Sequence, residues 1–209
     1  MRIITVSREF GSGGRELGKR IADILGFEYY DKEIVSRITG MSGIDEKEVE
    51  RILESHPWIN TRLSFNSSLS VDMATQVNHE ELLRQQRFVI ESIGRSGKDC
   101  VIVGRSADLL LKEYKPFNIF VCADMEHKMK RCMERAPEGE DFTMKELESS
   151  IKRIDKDRAR RRNAISKLKW GDPKAYHIVV NTSGWEIKEL APVVAEYAKL
   201  WFERSKDLD

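Results

Sequence analysis

The stretch RIITVSREFGSGGRELGKRIADILGF, residues 2–27, decides the fold. It begins with a β-branched apolar run, which predicts a buried strand over residues 2–7. A turn containing Gly11, Gly13 and Gly14 follows, and a helical apolar pattern then runs to Gly26, a typical helix stop. Glycines let a phosphate approach the backbone, and a helix N-terminus offers unpaired N–H groups. The stretch therefore predicts a phosphate-binding loop between a strand and a helix.

The glycine turn departs from the two common nucleotide-binding patterns. The signature G-x-x-x-x-G-K-[ST] is not matched, because no lysine followed by Ser or Thr stands after the glycines. The dinucleotide pattern G-x-G-x-x-G is also incomplete, since Glu16 stands in place of its third glycine. We interpret the turn as an altered phosphate loop rather than as a dinucleotide site.

The rest of the chain alternates between short apolar strands and amphipathic helices. Strands are predicted over residues 27–31, 99–106, 117–123 and 176–183, with helical patterns between them. The connections are too long for hairpins, which indicates a parallel sheet with helices on both faces, a three-layer α/β fold. Ligands of such sheets bind at the carboxyl ends of the strands. Residues 56–78 are rich in Ser, Asn and Thr, and we expect a loop with broken helix there.

Composition limits the partners and the compartment. The 209 residues carry a net charge of +1, so the chain as a whole is not a polyanion binder and no nucleic-acid partner is expected. No apolar run approaches the ~18 residues that a membrane span needs. The cysteines, Cys100, Cys122 and Cys132, lack C-x-x-C spacing and are interpreted as reduced structural thiols of a cytoplasmic protein.

One helical pattern is strongly basic. From Ile151 to Lys169 there are nine Lys or Arg, against only Asp155 and Asp157 as acids. A solvated helix face is one interpretation of this run. A nucleic-acid contact is another, which the near-neutral charge of the whole chain disfavours.

Beyond these patterns, the chain resembles the cytidylate kinase-like family of P-loop nucleoside monophosphate kinases. The resemblance covers nearly the whole chain, through the opening block, VIVGRSADLLL, NIFVCADMEHKMKRCMER and IKRIDKDRARRRN. It implies one P-loop NTPase-type domain over residues 1–209, with an acceptor-side insertion at 45–98 and a helical lid at 136–165. It also implies ATP as phosphoryl donor, Mg²⁺ as cofactor and nucleotides as the binding partners.

The resemblance assigns the donor side of the site. Laid on a standard loop, Gly14 falls where the lysine should be, and Arg15 falls where the Mg²⁺-binding Ser or Thr should be. Arg15 is the expected substitute for the lysine, with Lys19 as a weaker alternative. Ser12, water or Glu16 could supply the missing Mg²⁺ ligand. The expected ATP phosphate-binding residues are Gly11, Ser12, Gly13, Gly14, Arg15 and Glu16.

The acceptor side and the lid are assigned in the same way. Asp31 and Arg37 keep the Asp-x5-Arg spacing seen where the family holds the monophosphate, although Arg37 also fits an exposed helix arginine. Gly104 and Arg105 follow directly after a buried strand and resemble the family's Gly-Arg pair that contacts the monophosphate, which makes Arg105 an expected acceptor-binding residue. The lid arginines that would act with Arg15 in catalysis are Arg131, Arg153, Arg158 and Arg161, oriented by Asp155.

The resemblance thus predicts an ATP-dependent phosphotransferase acting on CMP, dCMP or a related acceptor. The missing lysine leaves open a catalytically weak or inactive nucleotide-binding regulatory protein of the same fold. A kinase for a different small acceptor is a third alternative. Whether the chain forms a homo-oligomer is open at this stage.

Overall fold

The computed structural model describes residues 1–53, 73–136 and 142–206, and its centre is a five-stranded sheet. The strands are β1 (Ile3–Arg8), β2 (Glu28–Tyr30), β3 (Cys100–Val103), β4 (Phe117–Cys122) and β5 (Ile178–Asn181). Their order is β2-β3-β1-β4-β5, and every pair is parallel. The predicted parallel α/β architecture is confirmed, and β1 lies at the centre of the sheet.

The helices of the described residues alternate with these strands. They are α1 (Gly14–Leu25), α2 (Lys32–Ser42), α3 (Glu46–Leu53), α4 (Met73–Arg95), α5 (Ala107–Leu110), α6 (Met125–Glu134), α7 (Met144–Asn163) and α8 (Ile187–Lys206). Gly26 ends α1 in the left-handed conformation, as its position predicts.

Two apolar clusters make the three layers. On one face of the sheet, alternate side chains of the strands pack against α1 and α8, with Leu17, Ile21 and Ala195 fully buried. On the other face, Ile3 and Ile102 pack against α2, α3 and α4. Because successive side chains of a strand point to opposite faces, strands buried on both sides are apolar along their whole length. That continuous pattern is the one that predicted the fold.

Several helix boundaries differ from the prediction. The basic helix was expected to run to about Lys169, but α7 ends at Asn163, whose side-chain carbonyl accepts a hydrogen bond from the Trp170 N–H (2.8 Å). The irregular region expected over residues 56–78 ends earlier than predicted, because α4 begins at Met73. The predicted irregular region 56–78 lies outside the described residues up to residue 72, as does the centre of the polar segment 136–143.

Two further features concern membrane insertion and disulfide bonds. Within the described ranges, no helix is long and apolar enough to cross a bilayer. All three cysteines are free, and Cys100 and Cys132 are buried. Burial raises the pKa of the Cys100 thiol to about 12, which keeps it protonated and unreactive.

Candidate functional site

The glycine loop lies at the carboxyl end of β1 and leads into α1. Gly11 and Gly13 adopt left-handed φ angles of 75° and 79°, which strain a residue with a side chain. A Cβ on Gly11 would lie 2.8 Å from the Lys128 carbonyl oxygen, and one on Gly13 would lie 2.5 Å from Ile187. Gly13 caps α1 without a side-chain hydrogen bond. The first N–H groups of α1 therefore have no partner within the helix, which is the arrangement that binds anions.

A cavity of about 470 Å³ opens at the carboxyl end of β1, where the chain enters the glycine loop. It is bounded by the carboxyl ends of β1 and β3, by α3 and α4, and by the C-terminal half of α7. Its described lining contains no Asp or Glu but is rich in arginine. The lining arginines are Arg8, Arg87, Arg105, Arg158, Arg161 and Arg162. A cavity of this size and charge fits a small anionic ligand.

The turn after β3 holds an unusual backbone conformation at the edge of the cavity. Gly104, Arg105 and Ser106 have consecutive φ angles of 76°, 59° and 51°. Left-handed conformation costs a residue with a side chain about 1–2 kcal/mol, and such strain is concentrated at functional sites. The turn places Arg105 in the cavity, where its Nη1 donates to the Gln86 side-chain oxygen (3.4 Å).

A buried ion cluster joins the glycine loop to the basic helix. Lys128 Nζ lies 2.8 Å from both Glu9 Oε2 and Asp155 Oδ2. The other oxygen of Asp155 accepts a hydrogen bond from the Phe10 backbone N–H (2.6 Å). Burial acts to lower the pKa of Lys128, but hydrogen bonds to Asp155 and Glu9 outweigh burial and raise it. Arg158 Nη1 lies 3.9 Å from Asp155 Oδ1, and the orienting role assigned to Asp155 stays a prediction.

Arg15 pairs with Asp31, a residue that the resemblance assigns to acceptor binding. Its Nε is 2.5 Å from Oδ2 of Asp31, a carboxylate that is almost completely buried. The Tyr29 hydroxyl donates to the Arg15 carbonyl oxygen (3.2 Å) and fixes the start of the helix. Two residues predicted for different parts of the site are therefore paired with each other.

Three other predicted arginines lie outside the lining of the cavity. Arg37 is exposed and lies over the Tyr30 ring, with 5.4 Å between its Cζ and the ring centroid. Arg131 donates to the Thr182 hydroxyl (3.0 Å) and to the carbonyl oxygens of Thr182 and Trp185. Arg153 is exposed on α7.

Arg158 and Arg161, by contrast, line the cavity and donate to the carbonyl oxygens of Arg8 (3.3 Å) and Leu53 (2.6 Å). The roles assigned to all five stay predictions.

The residues expected to bind Mg²⁺ do not form a ready site. The Ser12 hydroxyl is buried and donates to the Glu9 carbonyl oxygen (2.8 Å). Glu16 pairs with Arg20 and Arg135, and these arginines hold the pKa of its carboxyl below the ordinary value despite partial burial, which acts to raise it. Over residues 1–53, 73–136 and 142–206, no group of three His, Cys, Asp or Glu could hold a metal ion.

Sequence reasoning missed several residues that build this region. Arg8 lines the cavity. Its position at the start of the predicted phosphate loop is the feature of the sequence that could have identified it. Arg162 and Asp108 form a buried ion pair (2.8 Å) that fixes the end of α7 beside the turn after β3. Burial raises the pKa of Asp108, against the opposing effect of Arg162. The run RARRR gave no indication of which arginine would turn inward.

Similar structures support the fold. An uncharacterized protein from Eubacterium ventriosum is 23% identical, with a TM-score of 0.66 over 95% of this chain and 99% of that chain. Shikimate kinase from Acinetobacter baumannii in complex with shikimate is 14% identical, with a TM-score of 0.53 over 100% and 96%. A sugar kinase from Janibacter is 15% identical, with a TM-score of 0.52 over 97% and 95%. At these identities the likeness shows a shared α/β kinase fold.

Sequence comparison adds the family. A search of curated proteins finds no match. Residues 3–184, which include the glycine loop, the five strands and the basic helix, match the cytidylate kinase-like family. The chain belongs to the cytidylate kinase-like family.

Proposed function

We propose that this protein is a phosphotransferase that moves the γ-phosphoryl group of ATP to a small anionic acceptor, with CMP and dCMP as the first candidates. The observation that carries the proposal is the arginine-lined cavity beside the glycine loop. In a P-loop kinase, the acceptor oxygen must lie in line with the γ-phosphate of the donor. The acceptor therefore has to bind next to the glycine loop, as a ligand in this cavity would. Family membership and fold support the same class of reaction.

The donor phosphates would lie on the glycine loop. Backbone N–H groups at the start of α1 and the positive end of its dipole would hold the β- and γ-phosphates. Mg²⁺ would enter with ATP, held by phosphate oxygens and water, and would neutralise their charge. No protein ligand is assigned to it, because Ser12 and Glu16 are engaged elsewhere.

The charge of the cavity bears on the acceptor. An acceptor oxygen attacks the γ-phosphorus while the bond to the β-phosphate oxygen breaks and ADP leaves. A hydroxyl acceptor must lose a proton in this step, which calls for a base. A monophosphate brings an oxygen that is already deprotonated. The described lining holds arginines and no carboxylate, which supports a phosphate-bearing acceptor over a hydroxyl acceptor.

Little covalent chemistry is then required of the protein. Arg105 would bind the acceptor phosphate, and Arg158 and Arg161 would lie over the transferring group. Catalysis would come from positioning the two phosphates and neutralising the charge between them.

A coupled ADP-release assay tests the proposal. Mg-ATP is offered with CMP, dCMP, UMP, AMP and GMP, with shikimate as a hydroxyl acceptor, and with no acceptor as the control. Acceptor-dependent turnover with a monophosphate would support the proposal and name the substrate. Turnover with shikimate alone would contradict the argument from the cavity.

One observation favours a second candidate, a nucleotide-binding regulatory protein without turnover. Arg15 is paired with Asp31, and the Ser12 hydroxyl with a backbone carbonyl, so neither replaces the usual loop residues in this arrangement. Trp170 lines the cavity, and its fluorescence can report binding. A monophosphate that changes this fluorescence, with ATP bound and no ADP formed, would favour the regulatory protein.

A further inference from the structure

Arg8 occupies a position of the phosphate-loop signature where a standard loop has glycine. When Gly13 and Gly14 are set on the last glycine and the lysine of G-x-x-x-x-G-K-[ST], Arg8 occupies the position of the first glycine. The loop has therefore lost a lysine at one end and gained an arginine at the other. The two exchanges are six positions apart along the chain, so their relationship depends on the fold.

The structure brings the two positions into direct contact. A Cβ on Gly14 would lie 2.6 Å from the Cβ of Arg8 and 3.2 Å from its Cγ. Real Cβ atoms do not approach other atoms so closely, and the nearest obstacle is the rigid start of a side chain. Arg8 and a side chain at position 14 consequently compete for the same space. The glycine at position 14 is what Arg8 requires.

The far end of Arg8 reaches the cavity. A Cβ on Gly104 would overlap Arg8 Nη1 and would lie 2.7 Å from its Cζ, so the guanidinium lies against the glycine backbone at the end of β3. Gly104 has a φ of 76°, which favours glycine for a second reason. Arg8 is only 8% exposed and lines the arginine-rich cavity. Its guanidinium thus lies between the glycine loop and the acceptor cavity.

We infer that Arg8 replaces the missing lysine of the phosphate loop. This inference rests on the phosphoryl transfer proposed above. The guanidinium donates to oxygens of the transferring γ-phosphoryl group and neutralises the charge that the lysine neutralises in a standard loop. No bond to Arg8 forms, and no proton is transferred.

The two substitutes expected from sequence, Arg15 and Lys19, are absent from the described lining of the cavity, which includes Arg8. Lys19 is about half exposed and pairs with Asp23 (2.6 Å).

Single variants test the role of Arg8. In Arg8→Ala, kcat is expected to fall about 100- to 1,000-fold, the cost of removing one donor to transition-state charge, with a smaller change in the KM for ATP. Arg8→Lys restores part of the rate. Arg2→Ala is the matched control, because Arg2 is an ion-paired arginine just before the opposite end of β1. Thermal unfolding of each variant identifies any loss of fold. A kcat for folded Arg8→Ala within about threefold of wild type would overturn the inference.

An exchange variant tests the shared space directly. Gly14→Lys alone is expected to be inactive, because the new side chain meets Arg8. Arg8→Gly combined with Gly14→Lys removes that contact and leaves Val121 Cβ at 3.1 Å, which a small shift relieves. We expect the double variant to be at least about 10-fold faster than either single variant, because the effects of two residues that compete for the same space are not additive. A double variant no faster than the slower single variant would contradict the exchange.

Equilibrium binding separates this inference from the proposed function. If no acceptor supports turnover in the wild type, the phosphotransferase proposal fails, and ATP affinity still tests Arg8. Arg8→Ala is then expected to weaken ATP binding about 10-fold or more, which is the effect of losing one charge-assisted hydrogen bond. Binding of adenosine, which has no phosphate, should not change. Equal effects on ATP and adenosine would overturn the assignment of Arg8 to the phosphates.

Discussion

The ammonium group of Lys128 on α6 lies 2.8 Å from a carboxylate oxygen of Asp155 on α7. Because Asp155 also accepts from the Phe10 N–H, one buried carboxylate connects the basic helix to the glycine loop. Glu9, next to Arg8, is the second partner of Lys128. A shift of α7 would therefore move the backbone of the glycine loop.

Removal of Lys128 should destabilise the fold. Lys128→Met leaves the carboxylates of Glu9 and Asp155 without their common cation, and breaking a buried pair in this way costs about 3–5 kcal/mol. Urea unfolding measures the loss. Lys130→Met, at an exposed position of the same helix, is the control and should change the free energy of unfolding little. Equal effects of the two substitutions would show that the buried cluster does not stabilise the protein.

Two glycines with the same backbone angle separate strain from close contact. Gly11 and Gly97 both have a φ of 75°, but a Cβ on Gly97 meets nothing within 4 Å, whereas one on Gly11 meets the Lys128 carbonyl at 2.8 Å. Gly97→Ala should cost about 1 kcal/mol from strain alone. Gly11→Ala should cost at least about 1 kcal/mol more, because the loop must also move. Urea unfolding of the two variants measures the loss of unfolding free energy in each. Similar losses would mean that the glycine loop moves to accommodate the new Cβ at little energetic cost.

Substitution of Arg105 should separate acceptor binding from stability. Arg105→Ala and Arg105→Gly both remove the guanidinium, so both should raise the KM for the acceptor about 10- to 100-fold. Only glycine relieves the left-handed strain at φ 59°, so the glycine variant should unfold at a higher urea concentration than the alanine variant. Arg84→Ala, an exposed arginine paired with Glu81 on α4, serves as the control. Acceptor kinetics like those of wild type in both Arg105 variants would remove Arg105 from the acceptor site.

Arg15 should act through Asp31. Arg15→Ala is expected to weaken acceptor binding, because the buried carboxylate loses the cation that holds it, while the KM for ATP changes by less than about threefold. Arg15→Lys should restore part of the acceptor affinity, since it returns a charge to Asp31. Steady-state kinetics against each substrate measure the two effects. A kcat loss as large as that of Arg8→Ala would instead make Arg15 the substitute for the lysine.

The cap of α6 should make stability depend on acidic pH. Asp124 accepts hydrogen bonds from the backbone N–H (2.9 Å) and ring of His127, which lower its pKa from 3.8 to about 2. A carboxyl whose pKa is lower in the folded state contributes stability that is present above pH 3.8 and is lost as pH falls towards 2. Asp124→Asn keeps an N-cap but does not titrate. The difference in urea midpoint between wild type and this variant should shrink between pH 5 and pH 2.5. A constant difference across that range would contradict the cap titration.

The fold could be predicted because its signals are local. The central strands β1, β3 and β4 are largely buried on both faces, so they appear in the sequence as mostly apolar runs, and the helices between the strands keep one apolar face. The end of α7 was placed too far along, since residues 164–169 keep the composition of the helix. Its actual end depends on Asn163 meeting Trp170 and on the burial of Arg162 against Asp108. These are tertiary contacts that no window of sequence contains.

The candidate site was only partly predictable for the same reason. Arg105 follows a strand directly, so topology alone puts it at the carboxyl edge of the sheet. The spacing of Arg37 from Asp31 is equally regular, yet it does not determine whether the side chain faces the cavity or the Tyr30 ring. Arg8 was not predicted as a site residue, because the location of its side chain depends on contacts with Gly14 and Gly104. Only the folded chain brings these residues together.

The contact between Arg8 and Gly14 also restricts the evolutionary routes to such a loop. A lineage that began with lysine at position 14 could not first acquire arginine at position 8, because the two side chains would overlap. The sterically open path passes through glycine at both positions. An ancestor on that path would carry neither cation, so it would be slow at phosphoryl transfer while still able to hold a nucleotide. Sequences with glycine at both positions are therefore the intermediates to look for, and their activity would show whether selection for turnover was relaxed before it returned.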